Sequence, residues 1–216
     1  MLKNIFFDFD GVILDSVQSK TNAFFKLYEP YGAEVANRVV NYHLKYGGLS
    51  RFEKLRYFEE IILERKTNQK QIDELAKKFR ELCFNEVINS SYVEGVINFL
   101  DKCQKLEKRM WVISGTPQEE LREIVRYKKL DHYFLGVFGT PGKKTDWVNQ
   151  LTKEHDLDRK ESLFIGDALT DYEASRNCEL LFLLRETNDN LNYFKDIDCF
   201  RMNNFKEIPG NLEKNL

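Results

Sequence analysis

Short apolar runs at Ile5 to Phe7, Met110 to Ile113, Leu135 to Phe138, Leu163 to Ile165 and Leu180 to Leu184 alternate with stretches of helical periodicity. The helical stretches between the later runs are Gln118 to Tyr127, Asp146 to His155 and Asp171 to Asn177. Buried strands separated by helices are the sequence form of a doubly wound parallel sheet, so the alternation predicts an α/β chain with a Rossmann-like core.

One stretch departs from that rhythm. From about Val17 to about Ser90 there is no strand pattern, only charged segments with apolar residues at helical spacing, such as Ala23, Phe24 and Leu27 or Ile72, Leu75, Phe79 and Leu82. Breaks at Pro30 to Gly32, Gly47 to Ser50 and Thr67 to Asn68 divide it into four helices. The expected organisation is a core made of residues 1–16 and 91–216 with an all-helical insertion over 17–90. The crossings near Asp15 to Val17 and Ser90 to Gly95 would be its hinges. Glu59, Glu60, Glu64, Arg65 and Lys66 are expected on a solvated face, and the polar tail after Pro209 is expected to fray.

The chain has 216 residues, enough for one core and an accessory unit. Its 42% hydrophobic and 13% aromatic content marks a folding sequence rather than a disordered one. Thirty-three basic against thirty-five acidic residues leave a formal charge of −2, which offers no global field for nucleic acid. No apolar run approaches the ~18 residues a spanning helix needs, and no signal-peptide pattern is present, so neither a membrane partner nor export is expected and the protein reads as cytoplasmic. Cys83, Cys103, Cys178 and Cys199, and likewise His43, His132 and His155, stand apart from one another, without the spacing of a zinc site.

In an open parallel sheet, functional groups gather where the strands end and the chain leaves for a helix. The first strand is followed by Asp8 and Asp10, the second core strand by Ser114, Gly115 and Thr116. The third is followed by GTPGKK with Lys143 and Lys144, and the fourth by GDALTD with Asp167 and Asp171. Carboxylates crowded at one sheet edge repel unless a cation lies among them, and compact all-oxygen ligation favours Mg²⁺. Lysine and a small hydroxyl beside such a metal suit a phosphoryl group. Singly these motifs have plain readings: DxDG as a turn at Gly11, SGT as a helix cap before Pro117. An EF-hand is excluded because Ser19 occupies the position of the bidentate glutamate.

Together, DFDGVILDS, VISGT, GTPGKK and FIGDALTD resemble the four motifs of the haloacid dehalogenase superfamily of phosphohydrolases, and the helical insertion resembles that family's cap. The resemblance implies roles. Asp8 matches the nucleophile that becomes an acyl phosphate, and Asp10 matches the general acid and base, which starts protonated while Asp8 is ionised. Asp8, Asp167, Asp171 and the backbone carbonyl of Asp10 match the Mg²⁺ site. Ser114 matches the phosphoryl-binding hydroxyl, with Gly115 and Thr116 beside it. The motif lysine is Lys144 or its neighbour Lys143. A small phosphorylated metabolite is the implied substrate, handled by a monomer or homodimer.

The implied activity is a Mg²⁺-dependent phosphatase, with a β-phosphoglucomutase-like phosphosugar mutase as the alternative. The segment KYGGLSRFEK resembles a mutase cap loop in which an arginine, here Arg51, holds a second phosphate. Alternatively Ser50 caps a helix whose solvated face carries Arg51 and Lys54. Lys20, a candidate substrate-binding residue or a surface residue of the first insertion helix, stands where the mutases carry a histidine, which counts against the mutase although Ala23 and Phe24 fit its pattern. A receiver-type switch module shares the acidic pocket but lacks a long insertion after its first strand.

Overall fold

The computed structural model describes residues 1–215. Its centre is a six-stranded, all-parallel sheet in the order β3-β2-β1-β4-β5-β6. The strands are β1 (Asn4–Phe7), β2 (Arg109–Pro117), β3 (Gly136–Thr140), β4 (Ser162–Gly166), β5 (Leu181–Arg185) and β6 (Phe200–Met202). Every residue of β1 is buried, as a strand with neighbours on both edges and layers on both faces requires.

The two-residue period of β1 sorts its aromatic pair onto opposite faces. Phe6 stacks on Trp111 at 5.2 Å and on Phe164 at 6.4 Å, within the core layer that also holds Val148 and Leu151. Phe7 meets Phe99 and Phe134 edge-on at 6.1 and 5.9 Å in the other layer. Helices α1 (Val17–Tyr28), α2 (Ala33–Lys45), α3 (Arg51–Tyr57) and α4 (Gln69–Asn89) make up the long segment between β1 and α5 (Val96–Lys105). The remaining connections are α6 (Gln118–Tyr127), α7 (Lys144–Glu154), α8 (Leu169–Asn177), the short α9 (Leu191–Phe194) and the terminal α10 (Gly210–Glu213).

The four expected helices of the insertion are present, and their ends follow from local chemistry. Asn68 and Gln71 form a reciprocal capping box at the start of α4, at 2.9 and 3.1 Å. Ser50 accepts from the Phe52 amide at the start of α3. Phe24 of α1 knits the bundle together, 5.4 Å from Phe58 and 4.1 Å from Phe79, and Tyr42 stacks on Tyr57 at 3.9 Å.

Three expectations fail on packing grounds. Glu59 is buried rather than solvated, because α3 runs on into a π-turn over Phe58–Ile62 and Glu59 accepts from the Tyr28 hydroxyl at 2.9 Å. Arg51 and Lys54 do not lie on a solvated face; both are buried. The tail does not fray: Leu212 is buried in the core and the Leu2 amide donates to the Asn215 carbonyl at 2.6 Å. No described helix is long and apolar enough to cross a membrane.

Candidate active site

The strand order reverses direction between β1 and β4, and the loops leaving these two strands open a crevice at their carboxyl ends. Asp8 stands at the end of β1, its amide donating to the Ile165 carbonyl of β4 at 2.9 Å, so the central ladder fixes its backbone. Its carboxylate accepts from the Phe9 amide at 2.8 Å and meets the Lys144 ammonium at 3.0 Å. Gly11 then turns the chain with φ +80°, and a Cβ there would fall 2.1 Å from Asp167 Oδ2. Only glycine lets the two loops approach that closely.

Lys144 opens α7 and is buried between Asp8 and Asp171, with an ion pair to each. Lys143, its neighbour, is exposed. The lysine beside Asp8 is therefore Lys144, and Lys143 makes no ion pair there. Asp171 is fully buried; its Oδ2 accepts from the amides of Asp167 and Ala168 at 3.2 and 3.0 Å, while Oδ1 faces Lys144. Asp171 thus holds both the Asp167 loop and the lysine.

Carboxylate oxygens of Asp8, Asp167 and Asp171 lie within 4.8 Å of one another. Burial, opposed by Lys144 and reinforced by Asp171 and Asp10, raises the Asp8 carboxyl to about 7. Burial and the charges of Asp8 and Asp171 push Asp167 well above the usual carboxylate range. Carboxylates driven together until they hold protons are a site short of positive charge, and the donor set is all oxygen. These residues fit a hard divalent cation such as Mg²⁺, held by Asp8 and Asp167, with Asp171 committed to Lys144 and the loop amides.

Asp10 has a different environment. It accepts from Ser16 Oγ at 2.6 Å, from Thr116 Oγ1 at 2.9 Å and from the Lys20 ammonium, which also donates to Thr116 at 2.7 Å. Burial alone would raise its carboxyl, but the Lys20 charge and these hydrogen bonds outweigh it and hold Asp10 below its ordinary value. Without metal, burial thus pushes the Asp8 carboxyl up while Lys20 and the hydroxyls hold the Asp10 carboxyl down. Thr116 serves Asp10 and Lys20 rather than standing free for a ligand.

Ser114 is buried within β2, where the pairing with β3 breaks after Ile113, and accepts from the Thr116 amide at 3.2 Å. Gly115 faces the insertion: a Cβ there would meet the Gly48 carbonyl at 2.5 Å. Gly48 in turn lies so close to Thr170 and Lys144 that its own Cβ would fall 1.9 Å from Thr170 Oγ1 and 3.1 Å from Lys144 Nζ. The loop between α2 and α3 is thereby pressed over the sheet edge, enclosing a cavity of about 410 Å³.

Arg51 lines this cavity, yet its guanidinium is spent. It forms a two-pronged pair with Glu120 of α6 at 2.9 and 2.5 Å and lies over the Phe79 ring at 4.8 Å. The expectation that Arg51 contacts substrate is not supported by this arrangement.

Sequence reasoning stopped at four strand ends and so missed the fifth. Asn190, in the loop after β5, donates to the carbonyls of Asp167 and Arg185 at 2.8 and 2.9 Å and steadies the Asp167 loop. The run RETNDN directly after an apolar strand is the signal that would have found it. Lys54 and His43, both in the insertion and both lining the cavity, carried no comparable signal.

A family model described as haloacid dehalogenase-like hydrolase matches residues 5–184. Among solved structures, β-phosphoglucomutase from Clostridium difficile superposes with a TM-score of 0.78 at 14% identity, covering 100% of this chain and 97% of its own. A structure described as a predicted phosphoglycolate phosphatase from Haemophilus somnus gives 0.76 at 16% identity, covering 100% and 98%. A haloacid dehalogenase-like family hydrolase from Streptococcus pneumoniae gives 0.65 at 20% identity, covering 93% of each chain. Identities this low establish a shared fold and nothing finer. Among curated proteins no relative matches the chain.

Proposed function

Because the chain belongs to the haloacid dehalogenase-like hydrolases, we propose that it is a Mg²⁺-dependent phosphatase that hydrolyses a small phosphomonoester through an aspartyl phosphate on Asp8. The observation that carries this reading is the pairing of Asp8 with Lys144 at 3.0 Å, beside Asp167, at a cavity that Asp8 and Asp167 line.

Asp8 and Asp167 would hold the metal, which when bound neutralises phosphoryl charge and keeps Asp8 ionised at neutral pH. Asp8 then attacks phosphorus, and the ester oxygen leaves with a proton from the Asp10 and Lys20 pair. Lys144 and Ser114 bind the phosphoryl oxygens and orient them for in-line attack. In the second half-reaction the Asp10 and Lys20 pair, one proton short after the first, takes a proton back from water. That water attacks phosphorus and expels the Asp8 carboxylate as inorganic phosphate is released. The insertion acts as a cap domain over residues 17–90, and its Gly48 loop excludes bulk water from the acyl phosphate.

Engagement of Arg51 by Glu120 favours hydrolysis over the mutase alternative, since a mutase must grip a second phosphate while the substrate turns. The test is phosphate release from a panel of phosphomonoesters with and without Mg²⁺. Metal-dependent release supports the reading. Conversion of β-glucose 1-phosphate to glucose 6-phosphate with a bisphosphate primer, without net phosphate release, would replace it by the mutase.

A further inference from the structure

Four lysine and arginine side chains line the cavity, and three of them have carboxylate partners: Lys20 on Asp10, Arg51 on Glu120 and Arg185 on Asp15 at 3.4 Å. Lys54 is the exception among the described residues. It is 2% exposed and has no carboxylate within ion-pair distance. An ammonium this deep without a counter-charge is costly, and such groups are normally paired or bonded.

The protein holds Lys54 in place with neutral groups instead. Nζ donates to the Gly47 carbonyl at 2.8 Å and to His43 Nδ1 at 2.9 Å. An ammonium has three hydrogens, so one remains without a protein acceptor. Burial and the charges of Lys54 and Lys20 hold His43 well below its ordinary value, so the ring stays neutral and accepts at Nδ1. Its Nε2 is buried without a partner. His43 therefore contributes orientation, not charge.

Position decides what the free N–H meets. Asp8, Ser114 and Lys144 belong to the sheet edge, where the phosphoryl group would lie. Lys54 belongs to α3 in the insertion, lines the same cavity as Asp8 and Ser114, and is held by the Gly47 carbonyl of the insertion rather than by a group of the sheet edge, which leaves it for the part of the substrate beyond the phosphoryl group. We infer that Lys54 is a specificity-determining residue that binds a carboxylate on the leaving-group portion of the substrate, so that the preferred substrates are phosphate esters of small hydroxy acids. This rests on the phosphatase reading above. A single free N–H is a point donor that one carboxylate oxygen satisfies, and Arg51, whose fork would be the better grip on a second phosphate, is already engaged. The charge state agrees: burial and the neighbouring Lys20 and Lys144 lower Lys54 to about 7, so an arriving anion draws a proton onto it at neutral pH.

The test compares 2-phosphoglycolate with ethyl phosphate, which has the same carbon count but a methyl group in place of the carboxylate. A two-carbon bisphosphate serves as a third ligand. With Mg²⁺ present, the wild-type ratio of kcat/KM for 2-phosphoglycolate over ethyl phosphate is expected to be about 10- to 100-fold, the worth of one charged hydrogen bond. Lys54→Met should bring that ratio to within about threefold of one, mainly through KM, and Lys54→Arg should restore part of it. A wild-type ratio near one, a ratio that survives Lys54→Met, or a preference for the bisphosphate would overturn the inference.

If wild type hydrolyses none of the three, the phosphatase reading fails, and calorimetric binding of the same ligands tests the inference alone. Tighter binding of 2-phosphoglycolate than of ethyl phosphate, lost in Lys54→Met, sustains it. Equal binding overturns it. Should Lys54→Met not fold, the wild-type comparison of the three ligands and the Lys54→Arg variant still decide the outcome.

Discussion

Arg51 of α3 and Glu120 of α6 form a buried two-pronged ion pair, at 2.9 and 2.5 Å, that ties the helical insertion to a helix packed on the sheet. Arg80 of α4 adds a contact to the same carboxylate at 3.4 Å and one to Glu123 at 2.7 Å. The closed arrangement thus has an electrostatic seam along one side.

Removing one member of that pair leaves the other buried without its partner. Arg51→Met should destabilise the protein by about 3 kcal/mol in urea unfolding, reduced to the extent that Arg80 covers Glu120. The double variant Arg51→Met with Glu120→Gln should recover part of the loss, because the stranded charge is gone. Equal stability of wild type and Arg51→Met would show that the pair contributes nothing to the fold.

Lys20 sets the charge of Asp10. Lys20→Met removes the ammonium that lowers the Asp10 carboxyl, so its pKa rises and the ionised fraction at a given pH falls. The acid limb of the kcat profile should move to higher pH, and kcat at neutral pH should drop by about 10- to 100-fold. An unmoved acid limb would separate Lys20 from proton handling.

The crowded carboxylates make metal binding and pH interdependent. Asp8 is raised to about 7 and Asp167 is raised well above its ordinary range, so without metal the folded state holds more protons than the unfolded chain. The Asp8 contribution to stability is full below the ordinary carboxylate pKa near 3.8 and is lost as pH rises through about 7, and that of Asp167 has the same sign. Metal binding reverses the balance by favouring the ionised forms. Addition of Mg²⁺ should therefore raise Tm clearly at pH 8 and much less at pH 5; a pH-independent shift would place the metal elsewhere.

The Gly48 loop has no room for a side chain against Thr170 and Lys144. Gly48→Ala should hold the insertion off the sheet edge and cost about 10- to 100-fold in kcat/KM, since small displacements near the reacting groups are expensive. Its unfolding midpoint should stay near wild type. Wild-type kinetics would mean that the closed contact is not needed for turnover.

Much of this was readable in the residues because the motifs sit directly after apolar runs. Asp8, Ser114, Lys144, Asp167 and Asp171 converge once parallel strands are aligned side by side. The edge strand β6 was not readable: it is three residues long and contains Arg201, whose guanidinium donates to the Phe194 and Ile197 carbonyls. Long-range side-chain partners were also beyond reach. Glu120 lies 69 residues from Arg51 and His43 lies 11 from Lys54 on a separate helix, so neither pairing leaves a local pattern. The lowered Asp10 carboxyl has the same origin, since it depends on Lys20 folding back from α1 onto Asp10.

The central claim is that Asp8 carries the phosphoryl group. The direct measurement is to quench the Mg²⁺-loaded enzyme during turnover, reduce it with borohydride and map residue 8 by mass spectrometry, alongside phosphate release by Asp8→Asn. An acyl phosphate on Asp8 is reduced to homoserine, and the account predicts homoserine at position 8 only when metal and substrate are both present, with turnover abolished in a folded Asp8→Asn variant. Unmodified Asp8 during rapid phosphate release, or wild-type turnover by Asp8→Asn, would contradict it.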